Sequence, residues 1–225
     1  MMNKKLYMIL VAGTTFVFSK AQNISLRSDD FIPHQVSVMN TKYKNKAALE
    51  LQIPPSLNVN NDKTLAILKN TDFHNGTIEA SISGQPLKSA GENARGFVGI
   101  AFRTAEDASK MEVFYLRPTN GRADDQVRRN HSTQYISAPG YPWEKLRKES
   151  PEKYEAYADM VPGEWIRVKV EVKNGTARLY VNGALQPTLI VNDLKQGKDS
   201  RGNIGFWIGP GTLGHFTDLK ITKED

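Results

Sequence analysis

The chain of 225 residues contains no cysteine. Without a thiol there is no disulfide framework, zinc-thiolate centre, iron–sulfur cluster or cysteine nucleophile. Histidine is scarce as well: His34, His74, His131 and His215 lie far apart, so no metal motif can be read from their spacing. The chain has no H-E-x-x-H, G-x-S-x-G or Walker loop, and almost no helical periodicity. Its one long apolar run, residues 6–18, is shorter than the about 20 residues a membrane span needs. Lys4 and Lys5 precede that run and Ser19-Lys20-Ala21 follows it, which is the layout of a secretory signal peptide cleaved after Ala21. Residues 1–21 are therefore expected to be removed, leaving 22–225 as a single domain of a secreted or periplasmic protein.

Strong charge is also missing. The formal value is +6, but dropping Lys4, Lys5 and Lys20 from the 30 basic residues leaves 27 against 24 acidic ones, a balance of +3. That is too little to imply a phosphate-backbone partner, so no nucleic acid is expected, and no integral membrane segment after signal cleavage. With 39% apolar residues the chain is not disordered, and a domain of this size buries about 70% of its unfolded surface.

What is present reads as strands. Alternating or β-rich runs occur at 34–39, 47–53, 65–69, 76–83, 96–103, 111–117, 164–172, 176–181, 188–191, 203–208 and 215–221. Turn chemistry separates most of them, and Asn174-Gly175 between two alternating runs is a strong hairpin signal. Short strands in this number predict an antiparallel sandwich or barrel.

Residues 118–163 interrupt the rhythm, with helical character only at 143–157, broken by Pro151. A connection this long is either functional or conceals misassigned elements. Residues 103–147 hold six of the eleven arginines, and 115–157 hold five of the eight tyrosines together with Trp143. Two readings stand: a binding excursion, or a covering flap whose arginines pair with Asp124, Asp125, Glu144 and Glu149. Strand parity puts Val98, Ile100 and Phe102 in the core with Arg103 opposite, and Phe114 and Leu116 in the core with Tyr115 and Arg117 opposite. Ile204, Phe206 and Ile208 read as core, with Trp207 pointing outward, where an indole can stack on a sugar ring.

The segments Arg95-Gly-Phe-Val-Gly-Ile-Ala-Phe-Arg103, Gly163-Glu-Trp-Ile-Arg-Val-Lys-Val-Glu-Val172, Ala177-Arg-Leu-Tyr-Val-Asn-Gly183, Asn203-Ile-Gly-Phe-Trp-Ile208 and Phe216-Thr-Asp-Leu-Lys-Ile221 give the chain a family likeness. Over roughly residues 73–223 it resembles the concanavalin A-like lectin/glucanase superfamily, in particular its laminin-G-like and bacterial 3-keto-disaccharide hydrolase branches. The resemblance implies an all-β, two-sheet antiparallel jelly-roll sandwich with one long functional loop, and ligands on the concave sheet or its rim. It also leaves a structural Ca²⁺ open, although no acidic cluster has recognisable ligand spacing; no other cofactor and no metal site is expected. The E-x-D-x-E strand of the retaining glucanases is missing, since no Glu is followed two positions later by Asp. Gly209-Pro-Gly-Thr-Leu-Gly214 matches a dinucleotide-binding string, but the eleven residues after it read as a strand, so it is a turn.

The expected ligand is a carbohydrate or glycoside. Its groove would have Arg103, Tyr115 and Arg117 as floor, and Asn120, Arg122, Gln126, Arg128, Arg129, Asn130, His131, Gln134, Tyr135, Tyr141, Trp143 and Trp207 around it. Planar guanidinium groups suit carboxylates, so an acidic sugar is one expectation. The alternative to a binding protein is a glycoside hydrolase or lyase of the 3-keto-disaccharide hydrolase-like type, with His131 as acid–base group beside Asp125 or Asp159.

Overall fold

The computed structural model describes residues 21–57, 59 and 63–224. The segment expected to be a signal peptide, residues 1–21, lies outside them apart from Ala21. Fifteen strands run in order: β1 Gln22–Asn23, β2 Phe31–His34, β3 Ser37–Tyr43, β4 Lys46–Gln52, β5 Leu65–Leu68, β6 Asn75–Pro86, β7 Val98–Thr104, β8 Met111–Leu116, β9 Thr133–Ala138, β10 Glu155–Ala156, β11 Ile166–Lys173, β12 Thr176–Val181, β13 Leu189–Val191, β14 Asn203–Ile208 and β15 Thr212–Glu224. Two short helices, α1 Gln126–Asn130 and α2 Trp143–Glu149, lie among them.

The strands form two antiparallel sheets. The first has the order β13-β12-β11-β6-β15-β4-β3, with β1 added on β15; the second has the order β10-β9-β8-β7-β14-β5-β2. Hairpin chemistry sets the registers. Lys173 pairs with Thr176 across Asn174-Gly175, with Asn174 at φ 53°, the left-handed conformation that asparagine tolerates best after glycine. In β11 the burial alternates residue by residue, so Ile166, Val168, Val170 and Val172 face the core and the charged residues face out. Between the sheets Phe206 stacks on Phe216 at 4.4 Å and on Phe31 at 5.6 Å, and Phe102, Phe114 and Tyr135 continue the same layer.

The second sheet is buried on both faces over β7, β8 and β9. Its outer face is covered because residues 118–163 are not one long loop. They contain β9, a full strand of the sheet, along with β10 and both helices, and α2 packs on β9. The expected single excursion is corrected accordingly. Thr133, Gln134 and Ser137 give β9 no apolar period, yet all three are buried.

Parity holds for β8 and β14 and fails at one place in β7. Between the pairs Asn203↔Thr104 and Gly205↔Ala101, β7 carries one residue more than β14, and Arg103 in this bulge has φ 52°. A bulge re-aims the side chains beyond it. Arg103 consequently turns away from the outer face: Nε donates to His74 O (3.0 Å), Nη1 to Gly197 O (3.0 Å) and Nη2 to Asn174 O (2.7 Å). It is fully buried, and burial lowers its pKa against the pull of Glu112.

Candidate functional site

Across the outer face of the second sheet runs a row of facing residues, Trp207↔Gly99↔Tyr115↔Gln134↔Glu155. Gly99 is required there, because a Cβ would sit 2.5 Å from Phe114 O and 2.7 Å from Tyr115 Cβ. The gap it leaves brings the Tyr115 and Trp207 rings to 4.8 Å between centroids, with Phe97 6.1 Å from Tyr115. Above these rings opens a groove of about 710 Å³. Phe97, Tyr115, Ile136 and Trp207 line it, and its other lining comes from Val59, from the 90–94 segment, from Pro142, Trp143 and Glu144 at the start of α2, and from Pro210-Gly211. The glycine-rich string read as a turn thus supplies part of the groove.

Beneath Tyr115 lies a charged layer. Arg117 donates through Nη2 to the Tyr115 hydroxyl (2.7 Å) and to Gln134 Oε1 (3.1 Å), and through Nη1 to His131 O (2.9 Å) and Glu155 Oε1 (3.3 Å). Arg147 closes on Glu155 from α2, with Nε 2.8 Å from Oε2 and Nη2 on Oε1. The Arg147 guanidinium also stacks on Trp143 at 4.5 Å, so the ion pair fixes the Trp143 wall. Burial pushes the Tyr115 hydroxyl up to about 12, against the Arg117 charge, and it stays a neutral donor. Its oxygen already accepts from Arg117, which leaves the proton to be donated. Trp207 lines the groove with an indole N–H that is buried without a partner among the described residues.

The structure brings Tyr115, Trp143 and Trp207 of the expected set together at the groove. The others lie elsewhere. Arg103 is locked between the sheets, and Arg117 and Gln134 are buried support below Tyr115. Tyr135 faces the core, where its hydroxyl bonds Glu112; burial raises both groups. Asn120 is buried and donates to His131 O (3.3 Å). Tyr141 receives Lys145 over its ring at 4.7 Å. Arg128 lies on exposed α1, where Gln126 bonds Asn130 (2.7 Å), and Arg129 reaches the Tyr157 hydroxyl (3.0 Å).

None of the three acid–base candidates lines the groove. Asp125 is the N-cap of α1, accepting from Arg128 N at 2.8 Å. Asp159 is held below its ordinary value by a two-pronged bond from exposed Arg122. His131 sits in a separate cleft of about 290 Å³ with Val127, Asn130, Glu152 and Tyr157, its Nε2 3.6 Å from Glu155 Oε2. Burial lowers its pKa, with Glu155 opposing. Among the described residues no three His, Asp or Glu side chains are grouped to hold a metal ion, and no helix is long and apolar enough to cross a membrane.

Sequence reasoning missed Phe97, Glu92, Asn93, Glu144 and Ile136. All but Ile136 sit in loops or at element ends, where a sequence carries little period.

No protein-family model and no curated protein matches the chain. Solved structures do. A carbohydrate-binding module, CBM66, from Bacillus subtilis aligns with TM-score 0.52 at 11% identity, over 84% of this chain and 97% of its own. A Bacillus subtilis protein of unknown function with a galectin-like fold gives 0.56 at 14%, over 87% and 90%. A structure described as a native glycosidic hydrolase gives 0.53 at 11%, over 94% and 99%. The chain therefore has the jelly-roll sandwich fold of the concanavalin A-like proteins. Carbohydrate-binding and glycoside-hydrolysing proteins share that fold.

Proposed function

We propose that this is a secreted or periplasmic carbohydrate-recognising protein, binding a glycan in the groove over Tyr115 and Trp207. The observation that carries the reading is the aromatic set at one open groove. Tyr115, Trp207 and Phe97 form a floor and Trp143, 37% exposed, forms a wall. Sugar rings present C–H faces that stack on aromatic rings and hydroxyl edges that need donors and acceptors. Tyr115 and Trp207 present ring surface, and the exposed Glu92, Asn93 and Glu144 supply polar groups: carboxylate acceptors and an amide that both donates and accepts. The depression on the other sheet differs: it is lined by charged residues of both signs, Glu79, Asp218, Arg167, Lys169 and Lys220, with Lys220 on Glu79 at 2.9 Å.

A glycoside hydrolase is the second reading, because Glu92 and Glu144 bring two carboxylates to the same groove. The test is a glycan array followed by calorimetry on the hits. Trp143→Ala should weaken binding roughly five- to tenfold, since ring contacts of this kind contribute about 1 kcal/mol, with little change in melting temperature. Binding unaffected by Trp143→Ala and by Asn93→Ala would remove the groove from the reading. Mass spectrometry of glycosides and 3-keto-glycosides incubated with the protein decides between the two: turnover lost in Glu144→Gln would make it an enzyme.

A further inference from the structure

We infer that the groove selects uncharged glycans and rejects uronic acids; this deepens the reading above and rests on it. Among the described residues, the ionisable side chains lining the groove are the acids Glu92 and Glu144, together with Tyr115, which stays neutral. Among the described residues no lysine, arginine or histidine lines it.

The nearby cations are already engaged. Arg117 and Arg147 share the buried Glu155 carboxylate, and Arg95 turns its Nη1 to backbone oxygens of Glu92 and Ala94. A uronate entering the groove would meet two exposed carboxylates and lose water without gaining a counter-charge. Lys145, next to Glu144 in sequence, is directed to Gly140 O (3.1 Å) and the Tyr141 ring.

For a neutral sugar the same groups are complementary. A hydroxyl donates to a carboxylate in a charge-assisted bond and accepts from the Asn93 amide. Glu92 and Glu144 form no ion pair among the described residues, so both remain acceptors for a ligand.

The experiment compares matched polymers in affinity electrophoresis and calorimetry, mannan with polymannuronate, alongside a glycan array carrying neutral and acidic pairs of the same linkage. The neutral partner of any bound pair should be preferred by about tenfold or more, equivalent to about 1.4 kcal/mol. The preference should shrink as salt is raised, because exposed charges are screened within about 10 Å at 0.1 M. In the Glu92→Gln, Glu144→Gln double variant the neutral ligand should weaken a fewfold and the preference should fall toward unity. Tighter binding of the acidic partner, lost in Tyr115→Ala, would overturn the selectivity while leaving the groove as the site. Absence of binding to every glycan, neutral or acidic, would overturn both.

Discussion

Arg103→Met isolates a guanidinium that the sequence offers as a ligand contact and the structure places between the sheets. Methionine keeps a Cβ, so the backbone cost at φ 52° is the same in both proteins. The substitution strips donors from three backbone carbonyls, those of His74, Gly197 and Asn174. Each carbonyl left without a partner costs about 1–3 kcal/mol, the low end applying here because Gly197 and Asn174 are exposed enough to take up water. Part of the loss is offset by no longer burying a charge. The net destabilisation is about 3–4 kcal/mol, which in a domain of this size lowers the melting temperature by roughly 6–16 °C. Chemical denaturation and calorimetry measure it, and glycan affinity well below the transition should stay within about twofold of the parent. Lost binding at unchanged melting temperature would refute the bulge argument and return Arg103 to the ligand.

Gly99→Ala should lower both stability, by about 1–3 kcal/mol, and glycan affinity, because the new Cβ can be accommodated only by moving the strand that carries Tyr115; a variant with parental affinity would show that the floor does not depend on this close approach. His131 gives a pH dependence. Its folded pKa is below the ordinary 6.5, so the unfolded chain takes up the proton first and stability falls as pH drops through that value, with Glu155, Glu152, Arg147 and Arg117 as the charges around it. Urea midpoints measured from about pH 8 to pH 5 should fall less steeply for His131→Gln than for the parent, and an identical slope would mean that His131 titrates normally.

Most of the sandwich was legible because one-sided burial leaves a period of two. The bounds of β12 and β14 agree with the alternation residue for residue, and Val168, Val170 and Val172 announce the core face of β11. Two failures have separate causes. Residues 34–39 read as one strand, but the chain changes sheets between His34 and Ser37, with Gln35 at φ 54°, and no composition rule marks such a crossing. The strand β9 escaped because a sheet covered on both faces needs no alternation. Its Thr133, Gln134 and Ser137 are buried where Gln134 and Thr133 find partners at Tyr154 O and Ala156 O.

The site was half legible for a related reason. Aromatic residues at strand positions announced themselves by parity, and Tyr115 and Trp207 fell where parity put them. Arginine gave a different signal from the one inferred. A planar group with five donors suits a ligand carboxylate, but it suits the buried carboxylate of Glu155 and a set of backbone carbonyls equally well. In Arg117 and Arg103 the fold uses it for those purposes. Of the six arginines in 103–147, Arg117 and Arg147 serve the buried Glu155 beneath the groove, Arg103 serves backbone carbonyls between the sheets, and Arg122 pairs with exposed Asp159, so their density says little about the ligand. The acids that do reach the groove, Glu92 and Glu144, are ordinary surface glutamates in sequence. Only the approach of the 90–94 loop and the α2 start over Trp207 and Tyr115 gives them a common target, and on the α2 side that approach is held by Arg147, which reaches from the same helix as Glu144 to Glu155 in β10.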